Sequence, residues 1–158
     1  SDTVIFIPDE YLARNVARET GKTIIFPDDP GGGCGPDTFI GWHGKCEVHE
    51  LFGVQDIADV RQQFPDAVVL AHPECPPDVV EASDFSGSTS AMIKYVRETE
   101  APQYLLLTEC SMADNIVAEN PAKELLRMCS HRCPYMALIT LEDTLASLQN
   151  LQRRRPRR

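Results

Sequence analysis

Cysteine, histidine and glutamate are packed into two short blocks, GWHGKCEVH at 41–49 and AHPEC at 71–75, each directly following an apolar stretch. These side chains ligate metals, bind anions and, for histidine, exchange protons near neutral pH. Cys46 and His49 form a CxxH pair that suits one half of a zinc site, for which Cys129, His131 and Cys133 could supply the other half. An iron–sulfur cluster would instead draw its cysteines from distant segments, and a three-cysteine set leaves one iron open to act as a Lewis acid. Glu74 stands at the mouth of a buried apolar run, where a carboxylate needs a partner or destabilises the fold. His72 has two readings of equal weight, a satisfied histidine at a strand end or a ligand-binding group. Ser88 and Thr89, opening a helical pattern, read first as capping residues and second as an anion site. Gly44-Lys45 does not belong to a phosphate-binding loop, because Phe39 holds the first glycine position and Cys46 replaces Ser or Thr.

The elements that must position these residues alternate in type. Apolar runs at 3–8, 23–27, 67–71 and 104–109 read as strands, and 28–37, DDPGGGCGPD, as a loop. Helical patterns follow at 9–20 ending at Gly21, at 50–64 before Pro65, from Pro76-Pro77-Asp78 through Ala82, and at 88–99. The segment 120–129, NPAKELLRMC, also reads as a helix, and 135–151 as a strand-like piece followed by a helix. Alternating strands and helices predict an α/β fold with parallel sheets. In such a fold Cys46 with His49, His72 with Glu74, Ser88 with Thr89, and Thr108 with Glu109 all reach the strand carboxyl ends, where they could share a pocket.

Composition narrows the class. With 158 residues, 42% apolar content and 25% charge, the chain is expected to bury a real core. The formal net charge of −9 includes five arginines at 153–158, so residues 1–152 carry −14. So acidic a body does not suit nucleic acid, and the basic end reads as a solvated tail. No apolar run reaches the roughly 20 residues of a membrane span, and no signal-peptide pattern opens the chain. The expectation is therefore a soluble protein with no nucleic-acid or membrane partner. The six cysteines, Cys34, Cys46, Cys75, Cys110, Cys129 and Cys133, are expected to be reduced thiols, some binding metal, because disulfide-rich domains are usually small, secreted and loop-rich.

In their order, several blocks resemble one family, quinolinate synthase, an iron–sulfur enzyme of NAD biosynthesis. They are IFIPDEYLARNVARETGK at 5–22, GKCEVHELF at 44–52, HPEC at 72–75, DFSGSTSAMIKYV at 84–96, TE at 108–109 and CPYMALITLEDTLASL at 133–148. The resemblance implies condensation of iminoaspartate with dihydroxyacetone phosphate to quinolinate, with loss of phosphate and water. It implies a [4Fe–4S] cluster held by three cysteines, of which Cys46 and Cys133 match two. His49, His72 and Glu74 would be catalytic, and His72, Glu74, Ser88 and Thr89 would bind substrate, with Met136 packed beside the cluster. It further implies a cytoplasmic location, plastidial in a plant, and L-aspartate oxidase as functional partner. The expected architecture is three-layer α/β/α units with short parallel sheets, part of a pseudo-threefold three-domain arrangement. Residues 1–45 would end a central domain, 46–130 form a third domain, and 131–158 close back on the rest. The third cysteine would belong to an N-terminal half preceding Ser1, so this chain is expected to be the C-terminal half and unable to complete a cluster alone. Cys34, Cys75, Cys110 and Cys129 match no ligand role, Cys110 stands where glycine is expected, and the loop around Cys34 looks like an insertion.

Overall fold

The computed structural model describes residues 2–29, 33 and 35–150; the expectations for Cys34 and the arginine tail lie outside them. The chain starts with β1 (Thr3–Ile5) and α1 (Glu10–Thr20), followed by β2 (Thr23–Ile25) and β3 (Thr38–Ile40). Helix α1 begins because Asp9, in extended backbone, accepts the Leu12 N–H on its carboxylate at 2.8 Å. It stops at Gly21, whose φ of 68° is accessible at little cost only to glycine. The three strands pair in parallel in the order β1-β3-β2.

A second parallel sheet carries most of the core. Its strands β4 (Val68–Ala71), β5 (Phe85–Ser86), β6 (Tyr104–Leu107) and β7 (Leu125–Arg127) lie in the order β5-β4-β6-β7. Helix α2 (Val54–Gln63) leads into β4, and α3 (Pro77–Ala82), α4 (Thr89–Glu98) and α5 (Met112–Glu119) connect the strands. Alternate side chains of β4 and β6 point to opposite faces. Val69, Ala71, Leu105 and Leu107 pack with Ile57, Val79 and Val80 of α2 and α3. Leu70, Tyr104 and Leu106 pack with Met92, Val96, Met112 and Ile116 of α4 and α5. Both faces are thus covered, which is why these strands read as unbroken apolar runs. The result is the α/β class, with a three-layer unit around the second sheet.

Two elements differ from the sequence reading. Residues 120–129 are not a helix: α5 precedes them, and Leu125 and Leu126 pair with Tyr104 and Leu105 in β7. Adding a strand to the buried sheet outweighs helix propensity here, and Asn120, at the end of α5 ahead of Pro121, stops the helix. Nor is there a strand at 135–140; Met136–Leu138 is a single 3-10 turn leading into α6 (Leu141–Asn150). This segment has no strand neighbour among the described residues, and α6 buries none of its side chains. Tyr135, Met136, Leu138, Ile139, Leu141 and Leu148 are all exposed, Leu141 to 85%.

The cysteine expectation is corrected as well. Cys110, after β6, and Cys129, after β7, form a disulfide, whereas Cys46, Cys75 and Cys133 are free. The parallel β6–β7 pairing brings two cysteines 19 residues apart to a Cα–Cα distance of 5.1 Å, inside the bridging range. Closing such a loop contributes about 3 kcal/mol, so a thiol reductant is expected to lower the melting midpoint by roughly 5–10 °C. An unchanged melting curve with and without reductant would show that the pair exists as thiols.

Candidate metal and substrate site

Chain segments leaving the two sheets converge at one corner. After β3 the block 41–46 crosses toward the second sheet, held to the start of α1 at three points. The Glu10 N–H donates to the Gly44 carbonyl at 2.7 Å, the Cys46 N–H to Asp9 Oδ2 at 2.8 Å, and His43 Nδ1 meets Glu10 Oε2 at 2.8 Å. Asp9 is 2% exposed and uses both oxygens, one on its own helix and one on the Cys46 loop. At Gly44 the Trp42 indole lies against the backbone, so a Cβ there would force the ring to shift.

His43 also stacks on Phe26 and reaches Asp28 with Nε2 at 3.3 Å. Its hydrogen bond to Glu10, aided by Asp28, raises its pKa above the ordinary value of 6.5. Although burial opposes it, the bonds from His43 and Arg14 hold Glu10 below its own ordinary value. A raised histidine stabilises most below pH 6.5, and that contribution is lost as pH rises through the folded value. Glu10→Gln is expected to bring His43 back toward 6.5, measured by proton NMR of the ring; an unmoved titration would remove Glu10 as the cause.

From the second sheet come His49, in the 3-10 turn His49–Leu51, and the 72–75 loop at the end of β4. Cys46 Sγ, a His49 ring nitrogen and a Glu74 carboxylate oxygen all lie within 4.8 Å of one another. His49 Nε2 is 3.0 Å from Thr108 Oγ1, at the end of β6. His49 Nδ1 lies 2.9 Å from Glu74 Oε2 but is misaligned for a hydrogen bond, and this buried nitrogen has no hydrogen-bond partner. His72 stacks on His49 with ring centroids 4.4 Å apart, and its Nδ1 accepts the Glu74 N–H at 3.3 Å.

Electrostatics separates the roles of these groups. His49 beside it, more than any other neighbour, holds Glu74 below the usual carboxylate range despite partial burial. Burial, reinforced by His49, pushes His72 down to about 4 against the pull of Glu74, so at neutral pH it is uncharged. Burial raises the Cys46 thiol, so a metal must displace its proton to bind there. Cys75 is pushed up to about 12 by burial and donates to the Leu107 carbonyl at 3.4 Å. It is a free thiol buried in the core; the sequence reading gave it no ligand role.

The remaining candidates fall elsewhere. Ser88 caps α4 by accepting the Ala91 N–H at 3.3 Å, and both it and Thr89 are exposed at that helix start. Just ahead, Ser86 Oγ is buried without a hydrogen-bond partner. Glu109 accepts the Ser111 N–H at 2.7 Å, a helix-start role. Cys133 is free and half-buried, packed against the same core as Cys46, and is not one of the 4.8 Å trio. Cys129 cannot serve in the Cys46–His49–Cys129–Cys133 zinc set while it is bonded to Cys110. His131 packs edge-on against Phe52 instead, and Met136 is exposed rather than buried.

The family model described as Quinolinate synthetase A protein matches residues 1–155. The chain belongs to that family. It is similar to the quinolinate synthase of Xylella fastidiosa strain Temecula1, 49% identical over 146 residues, covering 92% of this chain and 38% of the relative. The quinolinate synthase of Caulobacter vibrioides strain NA1000 is 48% identical over 152 residues, covering 96% and 37%. That of Agrobacterium fabrum is 46% identical over 146 residues, covering 92% and 38%. The chain thus spans less than two-fifths of the length of these curated relatives. No helix among the described residues is long and apolar enough to cross a membrane.

Two residues that hold this corner together escaped the sequence reading. Asn15, fully buried in α1, donates Nδ2 to the Pro73 carbonyl at 2.9 Å and the Cys75 carbonyl at 3.0 Å, bracketing Glu74. Asp9 does the equivalent for Cys46. An asparagine among apolar helix positions and an acidic residue before a helix were the available signals, but their partners are 37 to 60 residues away.

Proposed function

We propose that this chain is the C-terminal portion of a quinolinate synthase, condensing iminoaspartate with dihydroxyacetone phosphate to quinolinate with release of phosphate and water. The reading is carried by the meeting of Cys46, His49 and Glu74 at the strand carboxyl ends of a chain in this family. The donors suit a [4Fe–4S] cluster: Cys46 and Cys133 are free, half-buried thiols packed against one core, and thiolates are the ligands such clusters take. Cys46 and Cys133 would hold the cluster with a third cysteine from the remaining length of the enzyme. When bound, the group supplies Lewis acidity for loss of a hydroxyl.

The side chains of this chain do the rest. Glu74, ionised at neutral pH, accepts a proton from a bound intermediate at a carboxylate oxygen and returns it to a leaving hydroxyl. His72, uncharged, offers a ring nitrogen as hydrogen-bond partner to a substrate carbonyl or carboxylate. His49 orients Glu74 and offers a second hydrogen-bonding group to substrate. Ser88 and Thr89, with the free N–H groups at the start of α4, bind a carboxylate or phosphate oxygen. Both are exposed here, and the remaining length of the enzyme would cover them. L-aspartate oxidase is the functional partner that would supply iminoaspartate.

The exposed row from Tyr135 to Leu148 is the surface on which the remaining length of the enzyme would pack, with 1–45, 46–130 and 131–158 as successive parts of the three-domain arrangement. The chain is therefore expected to self-associate as concentration rises, through burial of that row. Leu141→Glu with Leu148→Glu should shift sedimentation toward monomer; an unchanged oligomer distribution would exclude the row.

The deciding experiment is co-expression with the part of the Xylella fastidiosa relative that precedes the matched region, followed by anaerobic loading with iron and sulfide. Quinolinate should form from the two substrates with the pair and not with either piece. A loaded pair that makes no quinolinate would overturn the reading.

A further inference from the structure

We infer that Thr108 is a positioning residue: its hydroxyl donates to His49 Nε2 and thereby fixes the imidazole proton on Nδ1. That nitrogen is then a hydrogen-bond donor for an anionic or carbonyl oxygen. The inference rests on the functional reading only in assigning that oxygen to substrate. Thr108 belongs to neither the 41–49 block nor the 72–75 loop, and the sequence reading gave it a place at the strand carboxyl ends without a role.

The first argument is the direction of one hydrogen bond. A hydroxyl can donate or accept, and in a neutral imidazole one nitrogen carries the proton while the other accepts. Were Nε2 to donate to Thr108 Oγ1, Nδ1 would turn a lone pair onto Glu74 Oε2, 2.9 Å away in a buried corner. An ionised carboxylate only accepts, so two facing lone pairs would repel where little water screens them. With the proton on Nδ1 the same approach is attractive, even though it is misaligned for a hydrogen bond. The depression of Glu74, caused first by His49, agrees with a proton on that side of the ring. Nε2 is then the acceptor, and Thr108 Oγ1, 3.0 Å away, is its donor. Among the described residues that hydroxyl has no other hydrogen-bond partner.

The second argument is how firmly Thr108 is held. It is 4% exposed and β-branched, so its χ1 is stiff. It directly follows β6, which lies between β4 and β7. On the residue before it, the Leu107 carbonyl accepts the His72 N–H at 3.1 Å and the Cys75 thiol at 3.4 Å, tying β6 to both ends of the 72–75 loop. On the residues after it, the Glu109 carboxylate takes the Ser111 N–H at 2.7 Å, and Cys110 is bridged to Cys129. A hydroxyl fixed from both sides sets the His49 ring against the same strand that anchors the loop of Glu74.

The two stacked imidazoles thereby take opposite tautomers. His72 Nδ1 accepts the Glu74 N–H, which leaves its ring proton on Nε2. His49 carries its proton on Nδ1, where no acceptor of the protein is aligned to receive it. That N–H is left for a ligand, and it selects a carboxylate, carbonyl or phosphate oxygen over an amine or ammonium group.

The test is nitrogen NMR of the full chain with isotope-labelled histidine rings, in mildly alkaline buffer, with His49 assigned by the signals lost in His49→Gln. His49 should show a protonated Nδ1 and an unprotonated Nε2. Thr108→Val, which keeps the branched shape but removes the hydroxyl, should mix or reverse the two signals, and Thr108→Ser should keep the wild-type pattern. A proton on Nε2 in the wild-type chain would overturn the inference, and so would an unchanged pattern in Thr108→Val. Should Thr108→Val not fold, the wild-type and Thr108→Ser spectra still decide. In the loaded pair, Thr108→Val should lose roughly 3- to 10-fold in kcat/KM, the worth of one hydrogen bond, while Thr108→Ser stays close to wild type. Equal turnover in Thr108→Val and wild type would remove the positioning role. A wild-type pair that makes no quinolinate would remove the enzyme reading, and the tautomer measurement then decides this inference by itself.

Discussion

Asn15→Leu is expected to lower the unfolding free energy by about 2–5 kcal/mol, because the buried Cys75 carbonyl and the part-buried Pro73 carbonyl lose their side-chain donor. Leucine nearly conserves volume at a fully buried position, so the loss reports the amide rather than a cavity. Asn15 Oδ1 has no hydrogen-bond partner, so the donor half of the side chain carries the effect. The 72–75 loop should also relax, and in the loaded pair the rate should fall even at temperatures where the variant is fully folded. Chemical denaturation gives the first quantity and a steady-state assay the second. Normal stability in Asn15→Leu would mean that the Pro73 and Cys75 carbonyls find other donors.

The largest effect on rate is expected at Glu74. In the loaded pair, Glu74→Gln should reduce turnover by about 10²–10⁴-fold, the usual contribution of a positioned acid–base group. Glutamine keeps the shape and the backbone bond to His72 but cannot take up a proton. Iron and sulfide content should stay at the wild-type level, since the thiolates are untouched. Unchanged turnover would remove Glu74 from proton transfer, whereas loss of iron would make it a ligand instead.

The legible part of this corner was its sequence-local part. CxxH and HPEC could be seen as chemistry because their members are neighbours in the chain, and β4 and β6 were apparent because burial on both faces leaves unbroken apolar runs. The start of α1 was legible from Pro8, Asp9 and Glu10, and its end from Gly21. What failed depended on distant partners. Leu125 and Leu126 carry a pattern compatible with helix or strand, and only the vacant side of β6 decides between them. The Cys110–Cys129 bridge follows from that same pairing, which composition could not reveal. Ser88 and Thr89 show the opposite case: their capping position was readable from local sequence, and Ser88 does cap α4.

Cys46 follows a strand of the first sheet, whereas Glu74 and Thr108 follow strands of the second. The distance between sulfur and carboxylate is therefore a gauge of how the two sheets stand to one another. Asp9 and Asn15, one turn and a half apart on the same helix, fix the two jaws of that gauge to a single rod. A slip between the sheets would change the opening at Cys46 and Glu74. The corner is thereby a calliper whose setting is fixed by α1.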